Sequence, residues 1–217
     1  MLNTDWSVWQ EMKKTKEIIL NEAFRLFASQ SYRDVTLRQI IDSTGISKGA
    51  LYYYYDNKEQ LYREILEVYF LNLLNESLEI LETSNDEDLF SSLFTYFNTT
   101  FNEMMNLGNF FGFYMLIFEG MKAFPDVRER IMKFYNDFRI KLGKKIIVYQ
   151  KKGKMIEGNP QAISWMILSA IEGYLLLSVI NPEYLTLRAF ADHQKLLLNM
   201  LQPKYSEPKN LGKKARG

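Results

Sequence analysis

The sequence predicts an all-α protein in two parts, an N-terminal three-helix helix-turn-helix headpiece and a longer C-terminal helical body. Three observations predict it. Apolar residues recur at helical spacing through most of the chain. Between Thr36 and Lys58, helix-starting and helix-ending residues follow one another so closely that two short helices meet at a tight turn. Apolar residues make up 47% of 217, enough to bury the core of one domain or of two closely packed ones.

Taken in order, residues 1–11 carry Trp6 and Trp9 with weak periodicity and read as an N-terminal arm. From Lys16 to Ser31 the residues Ile19, Ala23, Leu26 and Phe27 form the apolar stripe of a first helix. Lys13, Lys14 and Lys16 lie at its start, where the helix dipole disfavours positive charge; nearby phosphates would relieve that, and the alternative is a solvated charge run. Thr36 with Gln39 forms a capping box that opens a second helix with Leu37, Ile40 and Ile41 on one side. Gly45 can take the left-handed conformation that ends it, and the Ser47 hydroxyl can cap the next. In that third helix Ile46, Leu51 and Tyr54 turn inward, leaving Lys48, Gly49, Ala50, Tyr52 and Tyr53 near the exposed N-terminal half. Asn57 with Gln60 caps the following helix, and Lys58 lies in its first turn.

That exposed face suits DNA. Lys48 can reach phosphate or guanine, and Gly49 and Ala50 permit close approach. The Tyr52 and Tyr53 rings offer apolar faces to thymine methyls or sugar. Arg38 joins Lys48 as a candidate base contact, Thr36, Tyr54 and Lys58 are candidates for phosphates, and Ser47 completes the set. A helix pair with a glycine turn is nonetheless common in all-helical proteins, so the turn alone leaves the function open.

The residue string goes further. Thr36 through Leu61, centred on Gly45-Ile-Ser-Lys-Gly-Ala-Leu-Tyr-Tyr and closed by Asn57-Lys58-Glu59-Gln60-Leu61, resembles the headpiece of the TetR-type (tetracycline-repressor-like) transcriptional regulators. The likeness extends upstream to Lys16. Two positions depart from the family's usual pattern: Ile41 stands where Ala is common, and Tyr54-Tyr55 where His-Phe is common. A buried Tyr55 ring would bring a hydroxyl in need of a polar partner.

The resemblance implies a homodimer that reads an inverted repeat in double-stranded DNA with half-sites about one turn apart, roughly 34–36 Å. It also implies a ligand site in the body, and a helix from Asn57 to about Glu82 that transmits ligand occupancy to the headpiece. Residues 12–58 are then the DNA-binding domain, 59–202 the ligand-binding and dimerisation domain, and 203–217 a disordered basic tail.

Within the body, acidic residues after Thr83 cap a helix that carries Leu89, Phe90, Leu93, Phe94, Phe97 and Phe101. Phe110 to Phe118 is apolar almost all round, so it reads as buried or as lining a cavity, with Gly112 opening space or permitting close packing. Phe94, Phe97, Phe111, Tyr114, Met115, Phe118 and Trp165 are candidates to hold a small apolar or aromatic molecule. Glu119 and Glu172, each beside a long apolar run, could select a cationic or hydrogen-bonding ligand, or else meet a structural partner. A basic helix follows from about Val127 to Lys152, and Gly153, Gly158 and Pro160 then mark a turn. The family's last two helices would span about 160–180 and 187–201. Ile163, Met166, Ile167, Ala170, Leu177, Phe190, Leu197, Leu198 and Leu201 are suited to a four-helix dimer interface.

Composition excludes several chemistries. With no cysteine and one histidine, disulfides, thiol catalysis and cysteine-ligated zinc are out. No cluster of metal ligands, phosphate loop or dinucleotide motif appears, and His193 has only its sequence neighbour Asp192, which faces elsewhere on a helix. No catalytic residue, cofactor or metal is therefore expected. Without a signal peptide or a long uncharged apolar run, the reading is a cytoplasmic protein. Counting Lys and Arg minus Asp and Glu, residues 1–66 give 9 minus 9 and 67–140 give 5 minus 12, whereas 141–158 give 6 minus 1 and 203–217 give 5 minus 1. A neutral headpiece can bind DNA only through the placement of Lys13, Lys14, Lys16, Arg38, Lys48 and Lys58 on one face. Two other readings stand beside this one: a small-molecule carrier or sensor whose headpiece does not bind DNA, and a helical protein-interaction module.

Overall fold

A computed structural model describes residues 6–84, 89–106, 110–181, 183 and 186–203. Among these the chain forms ten α-helices and one π-turn, and no strand. They are α1 (Trp6–Ser29), α2 (Leu37–Thr44), α3 (Lys48–Tyr54), α4 (Lys58–Leu66), the π-turn Glu67–Leu71, α5 (Asn72–Thr83), α6 (Leu89–Asn106), α7 (Phe110–Ala123), α8 (Pro125–Lys151), α9 (Pro160–Ile180) and α10 (Leu187–Leu201). Helix α1 begins at Trp6, so residues 6–11 are helical where an arm was expected; no glycine or proline interrupts them. The residues at 86–88 expected to cap α6, and the tail beyond Pro203, lie outside the described residues.

The chain divides into two compact units, residues 1–83 with 95–138, and 84–94 with 139–217. In the first, Ile19, Ala23 and Phe27 of α1 are buried, as are Ile40 of α2, Leu51 of α3, Leu61, Tyr62, Ile65 and Leu66 of α4, and Leu116 of α7. The helix expected to run unbroken from Asn57 to Glu82 is interrupted by the π-turn. Its extra residue per turn lets three consecutive large side chains all pack against protein. Tyr69 lies 4.8 Å from the Phe24 ring, Phe70 lies 5.8 Å from Phe113, and Leu71 is buried. The Tyr69 hydroxyl also donates to the Asn21 side-chain oxygen.

In the second unit, buried residues come from α6 (Leu89, Leu93), α8 (Leu142, Ile146, Tyr149), α9 (Ile163, Ile167, Ile171, Leu175) and α10 (Phe190, Leu197, Leu201). The Leu89 N–H donates to the Tyr149 hydroxyl at 2.5 Å, which caps the start of α6. The turn after α8 uses positive φ at Gly153 (65°) and Gly158 (148°). Asn159 then caps α9, with Pro160 as its first residue. The Ile156 N–H bonds to the Leu201 carbonyl at 3.0 Å, so this turn is fixed to the end of α10.

The outward apolar faces match those expected at Met166 and Leu177 and differ elsewhere. Ile163, Ile167, Phe190, Leu197 and Leu201 belong to the core of their own unit. The residues left outward are Trp165, Met166, Leu176, Leu177 and Ile180 of α9, with Leu196 and Met200 of α10, Ile180 being 74% exposed. Helix α9 is apolar nearly all round, so periodicity gave its buried face no phase. By length and mean hydropathy α9 could cross a membrane. Against that, Glu172 sits in its middle and one face packs on the helices of its unit.

Candidate nucleic-acid interface

The helix-turn-helix is built by local hydrogen bonds. The Thr36 hydroxyl accepts from the Gln39 N–H at 3.2 Å, and the Gln39 side-chain oxygen accepts from the Thr36 N–H at 2.6 Å. At the other end of α2, Gly45 adopts φ 70°, and its N–H returns to the Ile41 carbonyl at 3.0 Å. The Ser47 hydroxyl accepts from the Ala50 N–H at 3.1 Å, and the Asn57 side-chain oxygen accepts from the Gln60 N–H at 2.9 Å. Each cap satisfies an N–H that the first turn of its helix leaves open.

These caps fix which side chains of α3 face outward. Tyr53 is 69% exposed, Tyr52 is also exposed, and the Lys48 ammonium lies over the Tyr52 ring at 5.7 Å. A side chain at Gly49 would meet only the Ser47 hydroxyl, at 3.9 Å, so the surface beside Lys48 is open. Ala50 is half-buried. On α2, Arg38 is exposed and loosely paired with Asp42 at 3.7 Å. Arg38, Lys48, Gly49, Tyr52 and Tyr53 are thus free to meet a ligand, while the Thr36 and Ser47 hydroxyls serve as caps.

Two expected phosphate contacts have other partners. The Tyr54 hydroxyl donates to the Met12 carbonyl at 3.0 Å, which joins the end of α3 to the start of α1. Lys58 turns inward: its ammonium donates to the carbonyls of Tyr32 at 2.6 Å, Val35 at 2.8 Å and Arg33 at 3.3 Å, and lies 4.5 Å from the centre of the Tyr32 ring. Its three protons are used by the turn between α1 and α2, which leaves none for a phosphate. Lys16 is likewise paired, with Glu64 at 2.7 Å. Lys13 and Lys14 remain exposed next to Met12. The Tyr55 ring is buried, and burial with the nearby Glu64 carboxylate pushes its hydroxyl well above the usual tyrosine range.

The residues expected to hold a small molecule separate. Phe97 is packed in the core of the first unit. Phe111 (60% exposed), Met115 and Phe118 (53%) form an outward stripe on α7, with Tyr114 half-buried beside it. The inward face of α7 is instead Gly112, Phe113, Leu116, Ile117 and Gly120. Trp165 lies on the outward face of α9, and Glu172 is half-buried. Glu119 accepts the Tyr32 backbone N–H at 2.5 Å, so its carboxylate serves the α1–α2 turn. Phe94 does line an opening, a groove of about 400 Å³ in the second unit formed with Ala191, Asp192, Lys195, Leu198, Asn199 and Gln202. Among the described residues no group of three or more acidic or histidine side chains is placed to hold a metal ion.

Sequence reasoning missed Tyr32 and Gly120. The Tyr62 hydroxyl donates to the Leu116 carbonyl at 2.6 Å, and a side chain on Gly120 would come within 2.6 Å of a Leu66 methyl. Arg63 bridges to Asp126 at 2.7 and 3.1 Å, which holds that carboxyl below the usual range, and Arg130 bridges to Glu67 at 2.7 and 3.0 Å. The C-terminal half of α4 and the start of the π-turn are therefore fastened to α7 and α8.

Comparison with known proteins bears on this geometry. Residues 19–65 match the sequence profile described as bacterial regulatory proteins, tetR family. A relative from Staphylococcus epidermidis, the biofilm operon icaADBC negative transcriptional regulator IcaR, is 37% identical over 73 residues, which is 34% of this chain and 37% of the relative. The match thus spans little more than a third of that protein. The Bacillus subtilis regulator YxaF is 25% identical over 187 residues, covering 85% of this chain and 95% of its own. In structure, the complex of SmeT with triclosan aligns with a TM-score of 0.62 at 18% identity, over 94% of this chain and all of the other, a likeness of fold.

Proposed function

Because this chain belongs, through its headpiece, to the tetR family of bacterial regulatory proteins, we propose that it is a dimeric DNA-binding transcriptional regulator. In this reading it is a repressor that a small apolar or aromatic molecule releases from an inverted repeat. One observation carries the DNA-binding reading: α3, set by the Gly45 turn and the Ser47 cap, presents Lys48, Tyr52 and Tyr53 around the open surface at Gly49. A helix so presented enters the major groove, with Lys48 and Arg38 reaching base edges or phosphates and the rings meeting thymine methyls or sugar.

Other features fit the rest. The outward apolar faces of α9 and α10 supply the surface for a four-helix contact with a second copy. The named function of IcaR favours repression, and the triclosan bound to SmeT favours a small aromatic effector. By linkage, such an effector weakens DNA binding only as far as it prefers the state that does not bind, and DNA weakens its binding equally.

The test is selection of DNA from random fragments by the purified full chain, then anisotropy titration of the best sequence over a range of salt, with Lys48→Ala alongside. An inverted repeat with steep salt dependence, and a loss of about 1–3 kcal/mol on substitution, is expected. Weak binding without sequence preference, unchanged by Lys48→Ala, would overturn the DNA-binding reading.

A further inference from the structure

The turn that joins α1 to α2 is held from two sides at a single residue. Its Tyr32 carbonyl accepts from Lys58 of α4 at 2.6 Å, and its Tyr32 N–H donates to the Glu119 carboxylate of α7 at 2.5 Å. The Tyr32 ring fills the space between, 4.7 Å from Tyr62, 5.6 Å from Phe124 and 6.0 Å from Phe27. These rings partly shield the two backbone bonds from water, and partial shielding strengthens a charge-assisted contact.

Helix α7 meets α4 along the same stripe. Leu116, Glu119 and Gly120 are three and four residues apart and so share one face. The Leu116 carbonyl receives the Tyr62 hydroxyl, Glu119 holds Tyr32, and a methyl group on Gly120 would come within 2.6 Å of a Leu66 methyl, which would have to move. The π-turn begins at the next residue, Glu67. A shift of α7 along or about its axis presses Gly120 on Leu66, and reaches the headpiece through the packing of α7 on α1 and through the bond from Glu119 to the α1–α2 turn.

We propose that Glu119 is a positioning residue of the DNA-reading headpiece, whose hold on the Tyr32 N–H sets the angle of α2 and α3 and passes displacements of α7 to them. The inference rests on the DNA-binding reading above and deepens it, by naming the helix and the atom through which regulation arrives. Glu119 touches no DNA in this account; it acts through Tyr32. Loss of the bond frees the headpiece to tilt without unfolding it, because Lys58, the Thr36–Gln39 box and the Gly45 turn are untouched.

The experiment reads headpiece angle as a preference for half-site spacing. The full chain binds a set of inverted repeats that differ by single base pairs in their spacer, and also one isolated half-site at the same salt. Glu119→Ala, Glu119→Gln and Gly120→Ala are compared with the unmodified protein, and hydrogen exchange reports the Tyr32 amide. The expected result is that Glu119→Ala and Gly120→Ala change the ratio between best and next spacing by about fivefold or more. Half-site affinity should move little, and Glu119→Gln, which keeps an acceptor oxygen, should retain the original profile. Faster exchange at Tyr32 in Glu119→Ala alone of the two Glu119 variants is expected with it. Equal loss on every spacing and on the half-site would show a merely structural residue and overturn the proposal, as would an unchanged profile in Glu119→Ala. Absence of sequence-selective binding by the unmodified protein, with the Tyr32 amide still protected, would overturn the DNA-binding reading and this proposal with it.

Discussion

Lys58→Met separates two roles that a basic residue in a DNA-binding headpiece can have. The substitution keeps the stem and removes the ammonium, and with it three hydrogen bonds to the carbonyls of Tyr32, Arg33 and Val35 and the contact over the Tyr32 ring. A net hydrogen bond to a charged group contributes about 1.5–3 kcal/mol. The three share one half-buried ammonium and are not additive, and water can reach the Arg33 carbonyl, so a total loss of about 2–4 kcal/mol is reasonable. For a chain of this size that is a fall of about 5–15 °C in melting temperature. The assay is denaturation of the free protein, paired with the slope of log affinity for DNA against log salt. A phosphate contact contributes about 0.9 to that slope per half-site. The reasoning predicts a large loss of stability without DNA and an unchanged slope. A stability within about 0.5 kcal/mol of the unmodified protein, together with a slope reduced by about 2 in the dimer, would refute it.

Three further outcomes follow from particular positions. Gly45→Ala places a side chain at φ 70° where nothing lies within 4 Å, so the cost is backbone strain alone, about 1–2 kcal/mol in urea denaturation; a loss above about 3 kcal/mol would point to a clash that the structure does not contain. His193, the one histidine, stacks on Tyr174 at 4.8 Å and burial lowers its pKa, so the unfolded chain binds the proton more readily than the native one. Stability should therefore be full above about pH 6.5 and fall as the pH drops from there towards the lower native value, and His193→Phe should flatten the curve in that window; an equal slope in both proteins would assign it to carboxylates. Leu177→Asp puts a charge on the outward face of α9, and sedimentation should show the assembly shift to monomer, whereas an unchanged mass would place any dimer contact elsewhere.

What was legible in the sequence was local. The capping box at Thr36 and Gln39, the left-handed Gly45 and the caps at Ser47 and Asn57 each depend on residues within four positions of one another, and they placed α2, α3 and the start of α4. The partners of Lys58 are 23 to 26 residues away and that of Glu119 is 87 residues away, so no spacing rule could link them. Charge made Lys58 read as a DNA contact, and an adjoining apolar run made Glu119 read as a ligand residue. The π-turn escaped for a different reason: a slip of one residue leaves both flanking stripes helical, and only the packing of Tyr69, Phe70 and Leu71 reveals it. Helices α7 and α9 are apolar on nearly every side, so their composition foretold neither which residues face inward nor that Phe111, Phe118 and Trp165 face out.

The fate of the basic residues bears on how the headpiece would bind. Of the six expected on one face, Lys58 is spent on carbonyls and Lys16 on Glu64, while Lys13, Lys14, Arg38 and Lys48 remain exposed. With nine charges of each sign in residues 1–66, little long-range attraction is left to hold DNA without regard to sequence. In the proposed complex the cations left to meet DNA, Arg38 and Lys48 among them, then act through close contact once α3 is seated, beside the two outward tyrosine rings. Such contact is sensitive to angle. A headpiece whose cations meet phosphates only in the seated geometry would gain the most from being held in one orientation, and would lose the most if the Tyr32 clasp between α4 and α7 let it tilt.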